Sequence, residues 1–141
     1  MAQERKLNIV LYSDDSTTRE AITRALGSRV AADLPEHQIR EFATAAAMRL
    51  YVDGIKPGAA NAVDLYILDG EATPAGGMGI CRQLKDEIFQ CPPVLVLTGR
   101  PQDAWLATWS RADAVVPPVL SSFSEAALAA AARICAWTLE M

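Results

Sequence analysis

Residues 63–71 read VDLYILDGE, and the fold turns on this stretch. Residues 63–68 form a short, nearly continuous apolar run, closed by the acid Asp69 and the turn residue Gly70. Strict alternation would mark a strand wet on one face, whereas an unbroken run marks a strand buried on both, the habit of a parallel sheet. Three more runs share the pattern, Leu7–Tyr12, Val94–Leu97 and Ala114–Val116, and a fifth, 39–42, alternates more weakly.

Helical spacing fills the gaps. After Asp15, Thr17 and Glu20 are spaced as a capping box, Ala21, Ile22, Ala25 and Leu26 share a face, and Gly27 supplies a stop. Residues 44–52 read as a second helix ending near Gly54 and Pro57, and residues 79–89 as a third, with Ile80, Leu84 and Ile88 in register. Residues 102–110 make a short fourth helix and 124–139 a long fifth, capped by Ser124. Five alternations of strand and helix predict an α/β fold, a three-layer flavodoxin-like sandwich. Its five-stranded parallel sheet has the order 2-1-3-4-5 and carries five helices. These units take up all 141 residues, so the expectation is a single domain, 1–141, with no separate output domain.

Composition narrows the class. The chain is 51% hydrophobic and 21% charged, as soluble globular proteins are, with a net charge of -4. It has no basic stripe, which argues against direct nucleic-acid binding. The start, MAQERKLNIV, has charges but no apolar leader, and no apolar run reaches the roughly 18–20 residues of a membrane helix. Cys81, Cys91 and Cys135 lack metal-ligand spacing and read as free thiols of a reducing cytosol. The expected location is cytoplasmic, with no membrane partner.

The chemistry-bearing residues are carboxylates. In open α/β sheets ligands bind beyond the carboxyl ends of the strands, where the strand order reverses. Asp14 and Asp15 follow the first strand and Asp69 ends the third, so the predicted order brings all three to one crevice. Like charges at that range raise each other's pKa unless a cation offsets them, and magnesium suits an all-oxygen set. Asp69 then has the means to act as a nucleophile toward phosphorus. An Asp between strand and helix is also an ordinary N-cap, and for Asp15 both readings stand.

Three segments carry a resemblance that covers nearly all of the chain. SDDSTTREAI resembles the acidic-pair turn of the receiver domains of bacterial two-component response regulators. ILDGEATPAGGMGICRQLK resembles their phospho-acceptor loop and third helix, and VLVLTGR the end of their fourth strand. The resemblance implies that Asp14, Asp15, Asp69 and the backbone carbonyl of Glu71 hold Mg2+. It implies that Asp69 accepts a phosphoryl group from a histidine kinase or a small phosphodonor. The Thr98 hydroxyl then bonds a phosphoryl oxygen, beside the small Gly99. The resemblance further implies that phosphoryl transfer is to the protein's own Asp69, so that the expectation is a regulator and not an enzyme, with a downstream protein reading its state.

Some positions depart from that pattern. The place of the family's usual Lys is held by Pro117 or Pro118, and no Lys follows Lys85. A lost charge-assisted hydrogen bond is worth roughly 1.5–3 kcal/mol. Val115 stands where an aromatic ring is common, Pro74 falls one place late, and Arg100 is either a solvated loop arginine or a substitute cation over the pocket, the first reading being favoured. These departures motivate the alternative, a phosphorylation-independent pseudo-receiver serving as an interaction module. A phosphatase-like hydrolase would want an Asp where Glu71 stands, and flavin binding lacks a phosphate-cradling loop after the first strand. Trp105 and Trp109, four residues apart, share a helix face and either pack in the core or mark a partner surface. The Ala-rich last helix is either a well-buried helix or, as its resemblance to the dimerisation face of receivers implies, the contact of a homodimer.

Overall fold

The apolar runs become the strands of one parallel sheet. β1 (Leu7–Tyr12), β2 (His37–Phe42), β3 (Leu65–Asp69), β4 (Val94–Leu97) and β5 (Ala114–Val116) pair in the order β2-β1-β3-β4-β5. The structure, a computed structural model, describes residues 6–27, 35–56, 59, 62–73, 76–88, 91–97 and 109–116. Helices cover both faces. Leu7, Ile9 and Leu11 of β1 pack with Ile22 and Leu26 of α1 (Ser16–Leu26). Val10 and Tyr12, pointing the other way, pack with Met48 of α2 (Ala45–Asp53) and with Ile80, Cys81 and Leu84 of α3 (Gly77–Glu87). Because successive side chains alternate between two apolar layers, the sequence of β1 must be apolar at almost every position.

Several boundaries differ from the sequence reading, each for a local reason. Thr17 and Glu20 do not form a capping box. The cap of α1 is Asp15, whose Oδ1 accepts from the Thr17 N–H at 2.9 Å, while Glu20 pairs with Arg24 one turn on. Gly27 does end α1, at φ +59, a left-handed conformation that costs glycine nothing. β3 begins at Leu65, because Asp64 turns back to β1 and accepts the Asn8 N–H at 2.8 Å. β2 starts two residues earlier than its apolar part, and α3 begins at Gly77, two residues ahead of the predicted Gly79. The predicted fourth helix, apart from its last residues, and the whole fifth helix lie outside the described residues, as do Trp105 and Cys135.

Trp109 is described, and its ring is half exposed at 49%. The Arg82 guanidinium stands 5.0 Å from the ring centroid and donates to the Trp109 carbonyl at 2.8 Å. Cys81 and Cys91 are free thiols, and burial pushes Cys91 up to about 11, so it stays protonated and unreactive at neutral pH. No helix among the described residues is long and apolar enough to cross a membrane.

His37, the one histidine of the chain, is buried at the start of β2. Burial holds its imidazole below the ordinary range. The unfolded chain therefore binds a proton near pH 6.5 that the folded chain still refuses. Stability is full above that value and is lost as pH falls toward the folded pKa. Urea midpoints should drop between pH 7.5 and 5.5, and His37→Leu should flatten that drop; an undiminished drop in the variant would assign it to other groups.

Candidate functional site

Sheet register builds the site. Tyr12 of β1 lies beside Leu68 of β3, so the residues that follow, Ser13 and Asp69, meet at the carboxyl edge of the sheet. On its other side Asp69 pairs with Leu97, the last residue of β4. Asp69 is only 8% exposed. A buried carboxylate needs donors, and it has one on each oxygen. The Glu71 N–H donates to Oδ1 at 2.8 Å, and the Ser13 hydroxyl donates to Oδ2 at 2.7 Å.

The other two carboxylates sit on the loop that leaves β1. Asp14 is exposed and accepts from the Thr73 hydroxyl at 3.0 Å, which ties this loop to the one after β3. Asp15 is turned to α1, with Oδ1 on the Thr17 N–H and Oδ2 accepting from the Thr18 hydroxyl at 3.2 Å. Of the three predicted acids, Asp14 and Asp69 are thus linked to the same two loops, while the Asp15 carboxylate is engaged as a helix cap. Among the described residues no three His, Cys, Asp or Glu side chains form a ready-made metal cluster. The edge is nonetheless electronegative. The phenol of the fully buried Tyr12 is pushed up by burial first, and then by the charges of Asp14 and Asp69.

Two residues that sequence reasoning passed over shape this edge. Ser13 is fully buried, and the only cue to it was a polar residue closing an apolar strand. Gly77, also buried, lies against the strand end itself: a Cβ there would stand 2.7 Å from the Asp69 carbonyl oxygen and 2.9 Å from the Leu68 carbonyl carbon. Thr98, Arg100, Pro117 and Pro118 lie outside the described residues, as does the side chain of Val115. Lys85, the last lysine, is held at the far end of β4 by a 2.6 Å bond to Asp113, whose carboxylate also accepts the Val94 N–H. Three residues of strand, about 10 Å, separate Val94 from the end of β4 beside Asp69.

No protein-family model matches the chain. It is 55% identical over 111 residues, 79% of this chain and 79% of the relative, to an uncharacterized response regulatory protein of Mycobacterium tuberculosis, found in two strains. Among solved structures it resembles a response regulator receiver domain protein from Clostridium thermocellum, with TM-score 0.70 and 20% identity over 96% of this chain and 99% of that one. It also resembles the signal receiver domain of an HD domain-containing protein from Pseudomonas fluorescens, with TM-score 0.71 and 14% identity over 99% and 93%. A third likeness is a response regulator of Burkholderia pseudomallei with a phosphorylated aspartic acid and a calcium ion, at TM-score 0.66 and 17% identity over 96% and 72%. The parallel sheet with helices on both faces and an acid at its carboxyl edge has the architecture of these receiver domains. The chain belongs to the response regulator receiver family, whose members work in two-component signalling.

Proposed function

We propose that these 141 residues act as one cytoplasmic receiver domain that takes a phosphoryl group on Asp69, from a histidine kinase or a small phosphodonor, and signals by protein–protein contact. The observation that carries this reading is the Asp69 carboxylate, buried at the carboxyl edge of β3 and aimed by a donor on each oxygen. Such a group is a pre-oriented nucleophile, and positioning and electrostatics supply most of the catalysis in phosphoryl transfer.

The donor set fits magnesium, which needs only one or two carboxylates alongside water and phosphate oxygens. Asp14, Asp69 and the Glu71 carbonyl would hold the ion, and Asp15 would add its charge from the cap of α1. When bound, the ion offsets the negative charge that gathers on the phosphoryl oxygens. The chain's own residues do the rest. Asp69 attacks phosphorus, Ser13 and Glu71 hold its carboxylate in place, and Thr73 keeps the Asp14 loop against the loop after β3. Thr98, which follows Leu97 beside Asp69, would bond a phosphoryl oxygen.

Incubation with acetyl phosphate and magnesium, read by intact mass, should add one phosphoryl group to the wild type and none to Asp69→Asn or to metal-free protein. Asp14→Asn should raise the magnesium concentration for half-maximal labelling by about tenfold. If no adduct forms under conditions that label an ordinary receiver, the phosphorylation-independent interaction module becomes the reading.

A further inference from the structure

The Ser13 hydroxyl is fully buried, and its surroundings dictate where its single proton points. The Asp15 N–H donates to Ser13 Oγ at 3.1 Å, so one lone pair is taken. Two acceptors remain, the Asp15 carbonyl at 3.5 Å and Asp69 Oδ2 at 2.7 Å. The shorter bond is the one to a carboxylate, and charge-assisted bonds of that length are the strong ones. The backbone of Ser13 is itself pinned. Its N–H donates to the Phe42 carbonyl at 3.1 Å, and its carbonyl accepts from the Arg19 guanidinium at 2.7 Å. Arg19 in turn pairs with Glu41 of β2 at 3.4 Å.

We propose that Ser13 is a positioning residue for phosphoryl transfer, its hydroxyl fixing the plane of the Asp69 carboxylate opposite the Glu71 N–H. This rests on Asp69 being the phosphoryl acceptor. With a donor on one oxygen only, the carboxylate rotates about its terminal torsion, which is broad and roughly two-fold. With donors on both oxygens one orientation holds, and the free lone pairs stay aimed at an incoming phosphorus. A bond forms from an Asp69 oxygen to phosphorus, while the bond from phosphorus to the donor's bridging oxygen breaks and its electron pair leaves with acetate. Ser13 keeps its proton throughout.

The test compares the rates at which acetyl phosphate with magnesium labels the wild type, Ser13→Ala, Ser13→Thr and Thr44→Ala. Thr44 caps α2 through the Ala47 N–H and is bonded to neither Asp69 nor Ser13, so Thr44→Ala should lower the melting temperature and leave both donors of the acceptor in place. Ser13→Ala should label about tenfold more slowly, Ser13→Thr should regain most of the rate, and Thr44→Ala should label like the wild type. A folded Ser13→Ala that labels at the wild-type rate would overturn the inference and leave the acceptor intact. So would a folded Ser13→Thr as slow as Ser13→Ala; if the threonine is too large to fold, the comparison of Ser13→Ala with the wild type and Thr44→Ala decides alone. A wild type that takes no label overturns the acceptor reading, and the positioning role with it.

Discussion

Gly77→Ala is expected to lower stability by about 2 kcal/mol and to slow labelling of Asp69 at least tenfold. At an ordinary helical position the change would help, since alanine is favoured over glycine by up to about 1 kcal/mol. Here the added carbon would meet backbone, 2.7 Å from the Asp69 carbonyl oxygen and 2.8 Å from its carbonyl carbon, and backbone in a central strand has nowhere to go. Overpacking of this kind costs roughly 1–3 kcal/mol, so the clash outweighs the propensity gain. Relief can come only by moving α3 or the end of β3, and the second displaces the acceptor itself. Urea denaturation and a labelling time course on one preparation check both parts. A variant as stable as the wild type would show that α3 stands off the strand more than these distances allow.

Ile67→Ala should cost about 3–4 kcal/mol, the largest purely structural loss foreseen here. Ile67 is 1% exposed on the central strand, between Leu11 of β1 and Leu95 of β4, and it packs in the layer shared with Ile22 and Leu26 of α1. Large-to-small changes cost the transfer of the lost methylenes plus a cavity, and the cavity term is large where neighbours cannot collapse. Strands fixed by ladder bonds on both sides cannot close in. Leu50→Ala provides the contrast. Leu50 is 78% exposed on α2, and its loss should fall within about 0.5 kcal/mol. Equal urea midpoints for the two variants would mean that the layer between β3 and α1 is not the core described.

What the sequence disclosed follows from where the information sits. β1 and β4 could be read to the residue, because interior strands covered on both faces are apolar at almost every position and stop where the polar turn begins, and the short apolar run of β5 was read to the residue as well. β2 lies at the sheet edge, and its polar start, His37 and Gln38, hid two of its six residues. The start of α3 was placed two residues late because glycine is a poor helix former, whereas Gly77 is helical and small so that the helix can touch β3. That Asp14 and Asp69 come to the carboxyl edge of the sheet was legible because they stand at or just after strand ends. The roles of Ser13 and Thr73 were not, since each depends on the β1–β3 register and not on spacing along the chain. Asp15 could not be settled between cap and ligand from sequence, and its carboxylate lies on the first turn of α1.

The central claim is that Asp69 is the phosphoryl acceptor, and it is tested most directly by mapping the adduct. Protein incubated with acetyl phosphate and magnesium would be treated with borohydride, which reduces an acyl phosphate to an alcohol and leaves free carboxylates alone, and then digested for peptide sequencing by mass. The account predicts homoserine in place of aspartate at position 69 and at no other acid. Reduction at Asp14, at Asp15 or nowhere in the chain would contradict it.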